Sequence, residues 1–263
     1  DLVITRISAF GQTGPMAGRP GCAAVAEAVG GLRELVGDPD RPPVRTGVSI
    51  GDSIAGIYEA FGTVMALFAR ERAEVPLPQR VIDVALNESV LSVMESLVPD
   101  YLAYGVTRER VGGRMEGIAP SNAYPCADGT SIIVAGNGDA IFQRYMQTIG
   151  RPDLAEDPEL QTNAGRWQRR EELDAAIEQW TILHDRDVAL KLLDEAGVPS
   201  GPIYTAADIC TDEQYEARNM IQHFEVDTGE PQRKTVGFPG IVPVIGGASL
   251  PIRTVGPDLG ENT

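Results

Sequence analysis

A carboxylate, Asp52, is the side chain of this sequence best placed for covalent chemistry. It stands in Gly51-Asp52-Ser53, after the apolar run Val44–Ile50, a predicted strand, and before a predicted long helix. Asp and Ser at such a junction are typical helix caps, because their side chains accept hydrogen bonds from unpaired backbone N–H groups. The helix dipole also favours a negative charge at this position, and a carboxylate there can attack an acyl carbon to form an anhydride. The residues alone favour the cap and leave the nucleophile open.

The cysteines and histidines give little indication of chemistry. Cys22, Cys126 and Cys210 are odd in number and widely spaced, so they predict neither a disulfide framework nor a zinc site. No histidine lies near Cys22 in the sequence, and all three cysteines are predicted to be small buried thiols. His184 and His223 stand among polar, surface-like neighbours. We therefore expect no metal site and no histidine-based relay.

Two glycine-rich stretches and one acidic pair are further candidates. Gly136-Asn137-Gly138-Asp139 follows a predicted strand and opens a predicted helix, as a dinucleotide-binding loop does, but the third glycine of that motif is missing. A tight turn with Asp139 as the helix N-cap is favoured. The stretch Gly112–Gly117 has no P-loop lysine, and its residues favour a domain linker over a mobile lid. Asp83 and Glu88 fit an acid–base pair, and they fit a strand-end cap and a helix-face acid equally well.

Length and composition limit the classes of protein. The 263 residues and 28.1 kDa fit one large domain or two modest ones. A net charge of −16 and a pI near 4.5 argue against nucleic acid and anionic membranes as partners, so an anionic ligand needs a local pocket. No apolar run is long enough to span a membrane, and no leader peptide is recognisable, so we expect a reducing cytoplasm. All but two of the 22 basic residues are arginine, which favours a GC-rich bacterial genome.

Apolar periodicity predicts an α/β first part, residues 1–118, and a smaller α+β part, residues 119–245. The boundary is expected in the loop Val111–Ser121. The strands predicted in the first part are Leu2–Ile7, Val44–Ile50 and Val81–Ala85, and its predicted helices are Ala23–Val29, Ile54–Arg72 and Asn87–Tyr104. The strands predicted in the second part are Thr130–Ala135, Phe224–Asp227 and Lys234–Phe238, and its predicted helices are Ala140–Ile149, Glu171–Leu183, Val188–Ala196 and Ala206–Met220.

An ordered series of short motifs resembles family III of the CoA-transferases, which includes formyl-CoA, carnitine and succinyl-CoA-dependent dicarboxylate CoA-transferases. The series opens with Ile7-Ser8-Ala9-Phe10-Gly11-Gln12-Thr13-Gly14-Pro15 and Arg19-Pro20-Gly21, and it ends with Gly197-Val198-Pro199-Ser200-Gly201-Pro202 and Pro257-Asp258-Leu259-Gly260. Each motif is weak alone, but the ordered set covers essentially the whole chain. The resemblance implies an α/β fold: a doubly wound, Rossmann-like large domain, here partial, and a smaller α+β domain, in two chains interlocked as a homodimer. It also implies that the last segment, 246–263, returns towards the large domain.

The resemblance also implies roles for individual residues. Asp52 matches the family's nucleophile, which attacks an acyl-CoA thioester, forms a mixed anhydride and then an aspartyl-CoA thioester, and passes CoA to a carboxylic acid. CoA and acyl-CoA are substrates, and no permanently bound cofactor is expected. The residues that the resemblance places against CoA are Arg19, Pro20, Gly21, Cys22 and Ala23. The glycines that it places in a loop covering the acyl site, where they shield the intermediates from water, are Gly112, Gly113 and Gly117.

Several features depart from the family pattern. The family's long N-terminal portion and its C-terminal returning helix have no counterpart here, so the sequence is expected to be a fragment, inactive in isolation. Where relatives read Thr-Gly-Lys-Gly-Gln, this chain has Ala73-Glu74-Val75-Pro76-Leu77-Pro78-Gln79 and loses a basic turn. Asn262 stands where histidine is common, and Ala23 stands where an acid is common.

Two alternative functions stay open. A related branch, the α-methylacyl-CoA racemases, needs a histidine and an aspartate to move a proton beside the thioester. Cys22 stands at the position of that histidine, which makes racemisation less favoured. The other alternative is a noncatalytic remnant that only pairs with a partner chain through the apolar helix Ile54–Phe68.

Overall fold

Two parallel strands form the centre of the first part of the chain. This computed structural model describes residues 2–72, 76, 80–247, 249–257 and 260–261. Strand β1 (Ile4–Ser8) pairs with β2 (Val81–Ala85), with Ile4 opposite Val81 and Ser8 opposite Ala85. β-branched residues dominate both strands, as is typical of a pleated surface packed on one side. Of the segment Ala73–Gln79, which differs from the family pattern, all residues except Pro76 lie outside the described residues, and so does Asn262.

Five helices accompany this pair of strands. Their bounds are α1 (Ala23–Val29), α2 (Leu32–Leu35), α3 (Ile50–Arg72), α4 (Leu86–Leu91) and α5 (Leu97–Tyr104). Helix α3 packs on both strands and on α1 and α4. Small and branched residues form one hydrophobic cluster of this part, Ala26, Ala55, Val84 and Leu86, with Ile82 packed against them.

Two predictions for this part were wrong. No strand forms at Val44–Ile50, because Gly47 takes a left-handed conformation (φ 85°) that strand pairing does not accommodate. The single helix predicted over residues 87–104 divides into α4 and α5. Pro99 has no N–H to bond the carbonyl of Glu95, and its ring would clash with that carbonyl in a continuous helix. Glu95 itself lies in the break, with a positive φ of 52°.

The second part contains a three-stranded antiparallel sheet, a hairpin and seven α-helices within the described residues. The sheet has the order β3 (Ser121–Pro125), β4 (Ser131–Ala135), β5 (Ser200–Pro202), and the hairpin is β6 (Ile221–Val226) with β7 (Lys234–Pro239). The helices are α6 (Asp139–Thr148), α7 (Pro152–Glu156), α8 (Asn163–Gln168), α9 (Arg170–Thr181), α10 (Arg186–Glu195), α11 (Ala206–Thr211) and α12 (Glu213–Ala217).

The larger hydrophobic core lies in this second part. Its fully buried members include Ile132, Phe142, Tyr145, Met146, Leu160, Leu173, Ile177 and Leu193.

The helix predicted over Ala206–Met220 divides at Asp212. The backbone of Asp212 is extended, and its side chain caps α12 by accepting the Tyr215 N–H. The mixture of parallel and antiparallel sheets with helices is that of an α/β protein, whereas the division into domains 1–118 and 119–245 stays a prediction. Among the helices of the described ranges, none combines the length and hydropathy that a membrane span requires.

A fully buried arginine stabilises the loops at one edge of this core. Arg166 donates hydrogen bonds to the carbonyls of Ala119, Leu160 and Asn137 at 2.7–3.1 Å, and to the Asp139 carboxylate at 2.7 Å. These carbonyls lie in three connecting segments that are distant in sequence, so a single side chain holds the three segments together. A buried carbonyl left without its donor costs about 1–3 kcal/mol.

We therefore predict that Arg166→Met lowers the free energy of unfolding by about 3 kcal/mol or more. Arg144→Met is the matched control, because the exposed Arg144 also bonds the carbonyls of Ala196 and Gly197. Water replaces those bonds, so the control is expected to cost less than about 1 kcal/mol. Urea unfolding measures both variants, and equal losses would contradict the role given to Arg166.

The turn between β3 and β4 gives a pH-dependent prediction. Asp128 accepts hydrogen bonds from the hydroxyl and backbone N–H of Thr130 and from the N–H of Arg186, and the Thr130 hydroxyl is the main reason that its pKa falls to about 2. Since the folded pKa lies below the unfolded one, this contribution to stability is complete above the unfolded pKa and is lost as pH falls towards 2. Asp128→Asn is therefore expected to be less stable than wild type at pH 7, with a smaller difference at pH 3. Urea midpoints at both pH values test this, and a constant difference would refute it.

Candidate functional site

Asp52 is the third residue of α3 and lies exposed in its first turn. The residue before the helix is Ser49, whose carbonyl accepts the Ser53 N–H at 3.1 Å. The expected strand-to-helix junction is thus a loop-to-helix junction, and Asp52 is not the cap. Within the described part of the chain, no hydrogen bond or ion pair occupies its carboxylate. The first-turn N–H groups and the dipole favour a negative charge here, and the carboxylate can contact an incoming ligand.

The start of α3 packs closely against α1 and α4. Gly51 is buried, and a Cβ built on it would lie 3.2 Å from Cγ2 of Val90 and 4.0 Å from the carbonyl oxygen of Ala23. A methyl group at this position would be crowded against Val90 and in ordinary contact with Ala23. The contact brings the turn that carries Asp52 next to Ala23, the last residue of the segment expected to bind CoA.

The rest of that segment is held by a second close approach. A Cβ on Gly21 would lie only 2.4 Å from Cβ of Ala9 and 3.1 Å from the ring of Phe10. Arg19, Pro20 and Gly21 are exposed, so they are accessible to a ligand. The structure therefore places Ala23, the last residue of the 19–23 segment, beside the helix turn that carries Asp52.

The expectation of three buried thiols was wrong for two of them. Cys22 and Cys210 are exposed, and only Cys126 is buried. Burial raises the pKa of the Cys126 thiol, which disfavours its reactive thiolate. Cys22 is exposed because it is the residue immediately before α1, where the chain enters the helix from a surface loop.

Residues 111–118, which we call the glycine strap, form a loop over a cavity of about 210 Å³. Gly112 and Gly117 take left-handed conformations, with φ of 71° and 79°. The cavity is lined by four strap residues, Val111, Arg114, Met115 and Glu116, and by residues of α2 and of the α4–α5 link, including Leu32, Leu35 and Met94. Neither Asp52 nor the three glycines Gly112, Gly113 and Gly117 line this cavity.

The remaining candidates have structural partners. Asp83 and Glu88 line a cavity of about 180 Å³ with Tyr58 and Ser89, and the Asp83 carboxylate accepts the Gln12 N–H at 2.8 Å. The residue before α6 is Gly138, so Asp139 is the first helical residue and not the predicted cap; its carboxylate accepts a hydrogen bond from Arg166. No cluster of three metal-ligating side chains occurs among the described residues.

Sequence reasoning missed one polar cluster, centred on Asp174 of α9. This carboxylate accepts hydrogen bonds from Arg114 in the glycine strap and from Asn122 and Tyr124 of β3. The four residues are separated by up to 60 positions. The only sequence signal is the alternation of Asn122 and Tyr124, which places both side chains on one face of a strand.

Comparison with known proteins gives consistent results. The family model described as CoA-transferase family III matches residues 1–263. The chain is 39% identical to the succinyl-CoA–D-citramalate CoA-transferase of Chloroflexus aurantiacus over 99% of this chain and 63% of that protein. It is 33% identical to the acetyl-CoA:oxalate CoA-transferase of Acetobacter aceti over 84% of this chain and 56% of that protein. The chain thus spans less than two thirds of the length of these curated relatives.

Solved structures share the fold. A CAIB/BAIF family protein from Brucella suis superposes with a TM-score of 0.73 at 32% identity, covering 90% of this chain and 64% of that one. Rv3272 from M. tuberculosis superposes with a TM-score of 0.76 at 21% identity, covering 94% of this chain and 64% of that one. The second likeness is one of fold alone.

The close approach of Gly21 to the end of β1 yields a prediction. Gly21→Ala is expected to cost about 1–3 kcal/mol of folding free energy, because the added methyl overlaps Ala9 and Phe10. Gly18→Ala is the matched control in the same loop, since a Cβ on Gly18 meets nothing within 4 Å. Chemical unfolding compares the two variants. Equal stabilities would show that the segment is not held by this contact.

Proposed function

The chain belongs to CoA-transferase family III, and from that premise we propose that it carries the nucleophile of an enzyme that moves CoA from an acyl-CoA to a carboxylic acid. The observation that supports this most directly is the position of Asp52. It is an exposed carboxylate in the first turn of α3, without a partner among the described residues, beside the 19–23 segment that the resemblance assigns to CoA.

The proposed reaction proceeds by four attacks. A carboxylate oxygen of Asp52 attacks the thioester carbon of the donor, the C–S bond breaks, and CoA leaves as the thiolate. The thiolate attacks the side-chain carbonyl carbon of the resulting anhydride, which releases the donor acid and leaves an Asp52–CoA thioester. The acceptor carboxylate attacks that carbon and expels the thiolate, which then attacks the acceptor's acyl carbon. The acceptor leaves as its CoA thioester, and Asp52 regains its charge, so no oxidant or net proton is needed.

The substrate class follows from the relatives' names. The Chloroflexus relative uses succinyl-CoA and D-citramalate by its name, and others are named for L-malate, mesaconate and glutarate. We therefore propose a small dicarboxylic acid as the acceptor and succinyl-CoA as the first donor to test. With 16 more negative than positive charges on the chain, both anions depend on local positive groups for binding. Arg19 is the basic residue of the CoA segment.

The assembly and the shielding loop are also part of the proposal. The outer face of α3 exposes large apolar side chains, among them Ile57, Phe61 and Val64, each more than 60% exposed. A surface of this kind is typical of an interface, and it supports the interlocked homodimer.

The glycine strap is proposed to shield the hydrolysable intermediates through Gly112, Gly113 and Gly117. We propose a cytoplasmic location and no permanently bound cofactor.

Replacing the nucleophile tests the proposal. In the longest natural polypeptide that contains this sequence, Asp52→Asn is expected to lower the rate of CoA transfer by about 10⁴-fold, because an amide does not attack the thioester. It should also abolish the Asp52 hydroxamate that hydroxylamine forms from the acylated wild type, detected by peptide mass spectrometry. Glu59→Gln is the matched control, an acid two turns further along α3, and should leave both readouts unchanged.

Each outcome of this experiment separates the alternatives. Full transfer by Asp52→Asn, or a hydroxamate on another residue, would overturn the proposed nucleophile. Exchange of the proton beside the thioester without transfer would indicate the racemase. A wild-type protein with neither reaction would indicate the noncatalytic remnant.

A further inference from the structure

The polar cluster centred on Asp174 connects the glycine strap to the second part of the chain. Nε and Nη2 of Arg114 both contact Oδ2 of Asp174, at 2.7 and 2.6 Å. Nδ2 of Asn122 donates to the same oxygen at 3.2 Å, and the hydroxyl of Tyr124 donates to Oδ1 at 2.6 Å. Asp174 is 14% exposed and Arg114 is 24% exposed, so water screens this pair less than a surface pair.

The cluster is fixed on the side of the second part. Tyr124 is buried in the larger core, and burial together with the Asp174 carboxylate raises its pKa, so its hydroxyl stays a donor at every working pH. Asn122 lies two residues before it on β3 and faces the same side. Asp174 lies on α9, between the buried Leu173 and Ile177. The carboxylate is therefore a fixed anchor, and Arg114 reaches it from the strap.

Further contacts fix both ends of the strap. At its start, the Gly112 N–H bonds the Gly37 carbonyl at 3.1 Å, next to the pair formed by Arg110 and Glu34. At its end, the side chain of Asn163 bonds the Gly117 carbonyl and accepts the Ala119 N–H. Between these ends, the strap is connected to the second part of the chain by the ion pair of Arg114 with Asp174. Its own side chain and those of Met115 and Glu116 line the 210 Å³ cavity.

Gly113 allows the strap to approach the anchor. A Cβ on Gly113 would lie 2.6 Å from Oδ1 of Asn122, closer than any ordinary contact. The strap backbone thus lies directly against β3 at the residue before Arg114. Loss of the Arg114–Asp174 pair would leave Arg114 without a partner and remove the contact that holds the middle of the strap down.

We propose that Asp174 anchors the glycine strap over the cavity between α2 and the α4–α5 link, and that it is thereby a positioning residue for the transfer reaction. The anchoring rests on the contacts alone, whereas the role in the reaction rests on the proposed function, in which the strap shields the intermediates. Asp174 does not touch the reacting atoms in this proposal. It acts through Arg114, and its effect is to keep water from intermediates that would otherwise hydrolyse.

The first experiment measures the anchor without any substrate. Asp174→Asn keeps the size and a carbonyl acceptor for Tyr124, but its amide cannot pair with the Arg114 charge. Hydrogen exchange followed by mass spectrometry over residues 111–118, in the longest natural polypeptide, is expected to be about tenfold faster or more. Asp157→Asn is the matched control, because it breaks the similarly exposed pair of Asp157 and Arg169 without contacting the strap. Its strap exchange should equal that of wild type.

Arg114→Gln and the double variant complete the first experiment. If the pair is the anchor, Arg114→Gln alone opens the strap, and adding Asp174→Asn speeds exchange no further. Unchanged strap exchange in Asp174→Asn would overturn the anchor. So would an equal increase over the whole chain, since that would be a general loss of stability.

The second experiment measures the effect on the reaction. With succinyl-CoA and a dicarboxylic acid, Asp174→Asn is expected to raise the ratio of acyl-CoA hydrolysis to CoA transfer by about tenfold and to lower kcat more than it changes KM. Arg114→Lys, which keeps the charge, should raise the ratio of hydrolysis to transfer less than Arg114→Gln does. An opened strap with an unchanged ratio would overturn the positioning role and leave the proposed function intact. A wild-type protein that transfers no CoA would overturn both the proposed function and the positioning role. The hydrogen-exchange rates over residues 111–118 would still show whether Asp174 anchors the strap.

Discussion

The close packing of Gly51 places the candidate nucleophile beside the start of α1. A Cβ on Gly51 would lie 3.2 Å from Cγ2 of Val90 and 4.0 Å from the carbonyl oxygen of Ala23, so the first turn of α3 lies beside the first residue of α1. The first-turn N–H groups of a helix have no partner within the helix. Negative groups are favoured at such a place, whether they belong to Asp52 or to a ligand. The small volume of Gly51 therefore lets the turn that carries Asp52 lie close to the segment that ends at Ala23.

Much of the secondary structure was predictable because it depends on local patterns. Period-2 and period-3.6 apolar patterns gave β2, α1 and α3 within a few residues of their observed bounds. The errors have local causes that outweigh hydrophobicity. Gly47 turns an apolar run into a loop, and Pro99 interrupts a run that is otherwise helical. Strand β3 was missed because its sequence, Ser-Asn-Ala-Tyr-Pro, has only one large apolar residue. Backbone hydrogen bonds to β4 stabilise this strand in spite of its composition.

The site was less predictable than the fold, because its geometry depends on contacts between distant residues. The motif resemblance identified Asp52, but its exposure and its place inside the helix follow from the conformation of the preceding loop. The exposure of Cys22 has the same origin. The link from the glycine strap to Asp174 joins residues 60 positions apart, and nothing in the sequence near either residue indicates the other. Charged residues on helix faces are usually solvated, so pattern analysis gives Asp174 no distinction from its neighbours.

Helix α3 has an unusual distribution of side chains that bears on the complete site. The side packed on the sheet carries small residues. Ala55 and Ala66 are buried there, and a Cβ built on Gly62 would lie 3.0 Å from Cγ2 of Ile82. The outer side carries the large apolar residues, such as Phe61. A helix at the surface of a globular protein normally shows the opposite arrangement, with its large apolar residues facing the core. A row of large exposed apolar residues is typical of a surface that another protein surface covers. Such cover along the outer side of α3 would reduce the access of water to the helix, and the charge of an acid in its first turn would then be screened less.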